Sequence, residues 1–211
     1  MKTLLLNNFT RLHKKTPGSI PVNEQSKRGI IGLKDNKACQ SCMSFFKNSC
    51  EHEVLIISSE TTISLINIEE FIDRFNIEGR RKCDYLLYDA SHLVLADLTC
   101  SMEQYLDPHL QEGKKQKGKR LVARRQIEQT LELLMEDATI AEEIKAKSIK
   151  VGLLAYRVKD EDLFQDVPQK MQQESAIWQA FERERERSQL VFPMPYGFSF
   201  EMLRYPDNYV W

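Results

Sequence analysis

The chain has no run of apolar residues close to the roughly 18 needed to cross a bilayer, so no membrane partner is expected. Its first residues, Met1 to Asn8, place only Lys2 ahead of a short leucine stretch, well below the roughly 7–15 apolar residues of a secretory signal core. Charge of one sign is also lacking. With 30 Lys and Arg against 31 Asp and Glu the net charge is −1, so any nucleic-acid site must arise from local clustering. The five cysteines are odd in number and come without an export signal; a disulfide framework is therefore not expected, and reduced thiols or a metal site in a cytoplasmic protein are the better readings. No Walker loop, GxGxxG or GxSxG motif occurs, which removes support for nucleotide hydrolysis, Rossmann cofactors and α/β-hydrolase chemistry.

What the chain does have is the make-up of an ordinary globular protein: 211 residues, 42 % hydrophobic and 29 % charged, enough for one sizeable domain or one with a small appendage. Residues 1–52 are polar and carry several Gly and Pro, reading as an irregular N-terminal arm with a short strand at Gly29 to Leu33. Residues 53–160 alternate helical and strand patterns and are expected to form a mixed α/β core. Residues 161–211 hold a long helix, Gln169 to Arg187, and a tail rich in aromatics and prolines that packs on the core or on a partner.

Within the core, Val54 to Ile57 and Ile63 to Ile66 are β-branched runs around a polar SSETT segment, which predicts a hairpin. Asn67 is the N-cap of a short helix with Glu69 and Glu70 in its first turn and Gly79 beyond its end. Strands at Cys83 to Tyr88 and Leu93 to Thr99 follow, then a loop over 107–120. Ala123, Ile127, Leu131 and Leu134 mark one face of a helix from Leu121 to Asp137, continued after a kink by Ile140 to Lys145. Ile149 to Val158 is almost free of polar residues and reads as a buried strand.

The most informative stretch is KCDYLLYDASHLVLADLTC, residues 82–100. In a hairpin the start of the first strand neighbours the end of the second, which brings Asp84 towards Asp97. Two carboxylates held together repel unless a cation sits between them, so such a pair suits Mg²⁺ or Mn²⁺, and a metal there polarises a phosphodiester and acidifies an attacking water. Single aspartates at strand starts and turns are, equally, common surface features.

This pattern resembles the core of the PD-(D/E)XK nuclease superfamily, whose signature is an Asp at a strand start, an apolar strand ending in (D/E)-x-K, and a following helix. The resemblance covers residues 67–158 and implies a restriction-endonuclease-like core with a mixed sheet flanked by helices. It implies metal-binding and catalytic roles for Asp84 and Asp97, with Glu70 as the extra acid and Gln126 as the helical glutamine that some members carry. Leu98 is the spacer, and Thr99 stands where the family has lysine. Threonine carries no charge and cannot supply the electrostatic stabilisation that lysine gives. Either Arg124, Arg125 or Lys119 takes over that role, or the fold serves binding alone.

Two clusters lie outside that motif. Cys39, Cys42, Cys50 and His52 form a C-x2-C-x7-C-x-H array able to complete a tetrahedral structural Zn²⁺ site, although the intervening Phe45 and Phe46 equally fit cysteines that serve as small core hydrophobes. Lys114, Lys115, Lys117, Lys119, Arg120, Arg124 and Arg125 place seven positive charges within twelve residues beside the acidic strand ends. They are candidates for phosphate contacts with DNA or RNA, or form a solvated loop. The expected function is a nucleic-acid-associated protein. The alternative is a non-catalytic interaction subunit, docking on a protein partner or a second copy through the C-terminal helix and aromatic tail. If the cysteine array binds metal, protein purified without a histidine tag will carry zinc by elemental analysis and Cys42→Ser will abolish it; metal-free protein would leave these thiols as core residues.

Overall fold

In the computed structural model, which describes residues 1–34, 53–101, 105–111, 114–158 and 191–211, the first segment is regular rather than irregular. Met1, Leu5 and Phe9 recur every four residues, and the chain forms helix α1: α-helical at Lys2–Leu4, widened to a π-helix at Leu5–Phe9, and α-helical again at Thr10–Leu12. Leu5 and Phe9 are fully buried, and the Phe9 ring packs on Phe71 and Phe75 with centroids 5.5 and 5.1 Å away. Strand β1, Glu24–Lys34, follows and is longer than Gly29 to Leu33. The candidate zinc ligands Cys39, Cys42, Cys50 and His52, and the helix expected at Gln169 to Arg187, lie outside the described residues.

The hairpin expected around the SSETT segment is instead one long strand, β2, Glu53–Asn67. β1 covers one edge of it along nearly its whole length. On the other edge β10 (Asn208–Val210) pairs with Ile56 to Ser58 and β3 (Tyr85–Tyr88) with Ser64 to Asn67. The polar residues fall between those two partners, with Glu60, Thr61 and Thr62 exposed. The Ser59 hydroxyl donates to the Thr61 carbonyl at 2.9 Å and accepts from its N–H at 3.2 Å. The register against β1 shifts here, from Lys27 opposite Ile63 to Gly29 opposite Ser59, so an irregularity takes up the polar residues within a continuous strand while the serine satisfies the local backbone.

β3 and β4 (His92–Ser101) form the expected antiparallel pair, and helix α2, Ile68–Asp73, precedes them, capped by Asn67 Oδ1 accepting the Glu70 N–H at 2.9 Å. Part of the loop expected over 107–120 is a small ribbon, β5 (His109–Gln111) against β6 (Lys114–Gln116). Helices α3, Lys119–Met135, and α4, Ala138–Ala146, cross over to β7, Ile149–Val158, which lies parallel to β4. β9 (Ser199–Arg204) adds parallel to β7, and β8 (Phe192–Pro193) closes that edge. The protein is thus an α/β fold with a mixed eight-stranded sheet, in the order β1-β2-β3-β4-β7-β9-β8 with β10 on β2, flanked by helices. N-terminal, central and C-terminal segments share this one sheet.

Two cores result. One lies between the sheet and the helices and joins Leu86, Leu95, Leu154 and Phe200 to Phe9, Phe71, Ile127 and Ile144. The other consists of strand residues only, including Ile31, Leu55, Tyr85, Val94, Ala96 and Leu153. β2 touches β4, β7 and β9, none of them its neighbour in the sheet, so the sheet curls over and encloses its own second face. Along β4, Leu93 and Leu95 face the helices whereas Val94, Ala96 and Leu98 face the curl. The period-2 alternation carries Asp97 and Thr99 to the helix side. Gly152 admits α3 onto β7: a Cβ there would come within 2.8 Å of Met194 Sδ and 3.0 Å of Ile127 Cγ2.

The sheet is tied shut at the β3–β4 turn. Asp89 Oδ1 accepts the backbone N–H groups of Ser91 and His92 at 2.8 and 2.7 Å, and its Oδ2 accepts the Trp211 indole N–H at 2.8 Å. Burial raises the Asp89 pKa, but the Trp211, His92 and Ser91 donors overcome it and hold the carboxyl far below its ordinary value. A depressed native-state pKa contributes stability above the unfolded carboxylate value of about 3.9, and that stability is lost as pH falls towards the native value. Trp211→Phe removes one donor. It is expected to cost about 1 kcal/mol near neutrality and to reduce the loss of stability between roughly pH 4 and pH 2 in urea titrations.

Candidate functional site

Residues 79–84 lead from the loop after α2 into β3 alongside α3, and three consecutive residues there share hydrogen bonds with helix side chains. The Arg81 N–H donates to Gln129 Oε1 at 2.8 Å, the Lys82 carbonyl accepts from Gln126 Nε2 at 2.8 Å, and the Cys83 N–H donates to Thr130 Oγ1 at 2.9 Å. Thr130 in turn donates to the Gln126 carbonyl at 2.9 Å. Gln126 and Thr130 are one turn apart, and Gln129 is three residues from Gln126, so one side of α3 presents a row of polar groups to this segment. Such groups disfavour a buried helix face unless they meet partners, and here each meets a backbone group that would otherwise be unpaired.

This docking sets the start of β3, and with it Asp84. The β3–β4 register pairs Tyr85 with Ala96, and one further step along an antiparallel ladder sets Asp84 opposite Asp97. Asp84 Oδ2 accepts the Leu98 N–H at 2.7 Å, and the Asp84 carbonyl accepts the Ile68 N–H at 3.0 Å. Asp97, only 7 % exposed, accepts Gln126 Nε2 on Oδ1 at 3.1 Å. The Gln126 amide therefore links Lys82, at the foot of β3, to Asp97 on β4. Cys83 between them is fully buried. Desolvation is the main cause of its raised thiol pKa, and the nearby Asp97 and Asp84 charges act the same way, so it stays a neutral thiol donating to the Tyr85 carbonyl.

Thr99, two residues beyond Asp97, is buried. Glu70, in the first turn of α2, accepts on Oε1 from Arg74 at 2.5 Å and from Asn23 at 3.5 Å. Among the described residues no three His, Cys, Asp or Glu side chains gather into a metal cluster. Asp84 and Asp97 offer carboxylate oxygens, the ligand type of hard cations such as Mg²⁺, an ion usually held by one or two carboxylates, waters and substrate phosphate oxygens.

The basic run divides by surroundings. Arg120 pairs with Asp107 at 3.5 Å. Arg124 pairs with Glu128 at 2.9 Å and donates to the Pro193 carbonyl at 3.2 Å. Lys117, Lys119 and Arg125 are exposed, while Lys114 and Lys115 sit on β6. Arg81 was not among the residues that the sequence pattern singled out; the RRK triplet at 80–82, directly before Cys83 and Asp84, was its signal. In the tail, Phe198 and Phe200 enter the helix-side core and Tyr209 and Trp211 pack on the strand core, leaving Phe192 and Tyr196 as its exposed rings.

Compared with known proteins, the chain matches no family model, no curated protein and no solved structure. Gln126→Ala would leave the Lys82 carbonyl and Asp97 Oδ1 without this donor and should cost about 1–3 kcal/mol in chemical denaturation. Gln126→Glu, which puts a third carboxylate against Asp97, should cost more than Ala at pH 7 and recover towards pH 4.

Proposed function

We propose that the chain is a nucleic-acid-associated protein built on a PD-(D/E)XK-like core, in which binding outlasts efficient cleavage. The observation that carries this reading is the register of β3 and β4, which opposes Asp84 to Asp97 with Gln126 reaching across from α3. In support of it, β3 and β4 are an antiparallel pair, helix α3 follows β4, and the chain returns in β7 parallel to β4.

Asp84 and Asp97 would hold a divalent ion, whose contribution is to polarise a phosphodiester and acidify water. The protein's own groups orient that pair: the Leu98 N–H sets the Asp84 carboxylate and the Gln126 amide sets that of Asp97. Thr99 brings no positive charge to the phosphate, and loss of one preorganised electrostatic donor costs roughly 100- to 1000-fold in rate. Of the candidate substitutes, Arg124 is engaged by Glu128 and the Pro193 carbonyl. The rival reading, an interaction subunit docking through its tail, has less to stand on because four tail aromatics are packed into the protein's own two cores.

The purified protein is expected to bind DNA or RNA with an affinity that falls steeply with salt. Cleavage with Mg²⁺ or Mn²⁺ should be weak, abolished by Asp84→Ala or Asp97→Ala and raised by Thr99→Lys. Absence of nucleic-acid binding at low salt would overturn the proposal.

A further inference from the structure

A cavity of about 290 Å³ opens where the 79–82 segment meets α3, and its wall carries Arg81, Lys117, Arg125 and Gln129 beside Leu121 and Val122. The neighbouring cations are neutralised: Arg80 by Glu132 at 2.5 Å, Lys82 by Asp73 at 2.7 Å, Arg120 by Asp107 and Arg124 by Glu128. Among the described residues, Arg81, Lys117 and Arg125 have no carboxylate partner, although acidic residues outnumber basic ones in the chain as a whole. Three like charges around one concavity repel, and the compensating group that fits guanidinium forks and an ammonium is an oxyanion.

The positions of these cations are built in. The Arg81 backbone is held by Gln129. Lys117 precedes Gly118, where a Cβ would lie 2.2 Å from the Asp107 carbonyl carbon, and the Arg120 N–H donates to the Leu106 carbonyl at 3.1 Å, so the entry to α3 is pressed against residues 106–107. Arg125 lies one turn before Gln129 on the same side of α3. From Arg81 to Asp84 the chain advances three residues, at most about 10 Å.

We infer that this cavity seats a phosphate of a nucleic-acid strand, gripped by Arg81, Lys117 and Arg125, so that a nearby phosphate of the same strand lies at the Asp84–Asp97 pair. The identity of the ligand as nucleic acid rests on the function proposed above; the anion site rests on the three unpaired cations alone.

The test is binding of a labelled single strand, its duplex and inorganic phosphate to the full chain, each across a salt series. Arg81→Ala and Arg125→Ala should each weaken the single strand about tenfold, and Lys117→Ala should flatten the salt slope by about 0.7. Arg80→Ala, which removes a paired cation from the adjacent position, should leave affinity within about twofold. All four side chains are at the surface, and unchanged melting temperatures confirm that each variant folds. Nucleic-acid binding that ignores Arg81, Lys117 and Arg125 overturns the inference and leaves the proposed function intact. Phosphate binding that requires Arg125, with no binding of either nucleic acid, keeps the anion site and overturns its assignment to a nucleic-acid strand. No binding of any probe overturns both.

Discussion

The docking of α3 on residues 81–83 is the interaction from which the rest of the site follows. That segment lies outside the strands, and the Gln126, Gln129 and Thr130 side chains pair with its backbone instead. A buried unpaired backbone group costs as much as a lost hydrogen bond, and a one-residue slip would bring every side chain of a strand to the opposite face. The three bonds remove both hazards. They determine which residue begins β3, hence which residue opposes Asp97, and they carry Arg81 to the lip of the adjoining cavity.

A second constraint is closure of the sheet. β2 is long enough to pair with β1 on one edge and with both β3 and β10 on the other, so its two ends serve different parts of the fold. The consequence is a second core made without helices. Asp89 and Trp211 close it by joining the β3–β4 turn to the residue after β10, while the Lys147 ammonium donates to the Asp89 and Ala90 carbonyls at 2.8 and 3.2 Å and ties the end of α4 to the same turn. The hairpin that presents the two aspartates is therefore anchored at its turn by the C-terminal strand and at its open end by α3.

Electrostatics separates groups that hold the fold from groups available to a ligand. The overall charge near zero says nothing about a binding site. Pairing does: arginines and lysines that meet Asp or Glu contribute little field beyond their partner, whereas Arg81, Lys117 and Arg125 project theirs into a shared concavity. Arg120 and Arg124 belong to the same basic run in the chain, yet one is bound to Asp107 and the other to Glu128.

Local periodicity and capping chemistry are properties of neighbours in the chain, and these were readable from the amino acids alone. Ile149–Val158 was evident as a strand from its nearly unbroken apolar run, α3 from its Ala123, Ile127, Leu131 and Leu134 stripe, and the start of α2 from Asn67 followed by two glutamates. The approach of Asp84 to Asp97 was legible for the same reason, since a short hairpin relates its strands by simple counting. Helix α1 was also encoded in the Met1, Leu5 and Phe9 spacing, but surrounding polar residues obscured it. Only the tertiary structure decided that the polar middle of β2 continues the strand instead of turning back, because β3 and the distant β10 pair on one edge of β2 at either end of it. Only the tertiary structure distinguished Arg81 and Arg125 from Arg120 and Arg124, because whether a cation is neutralised depends on which carboxylate the fold brings to it.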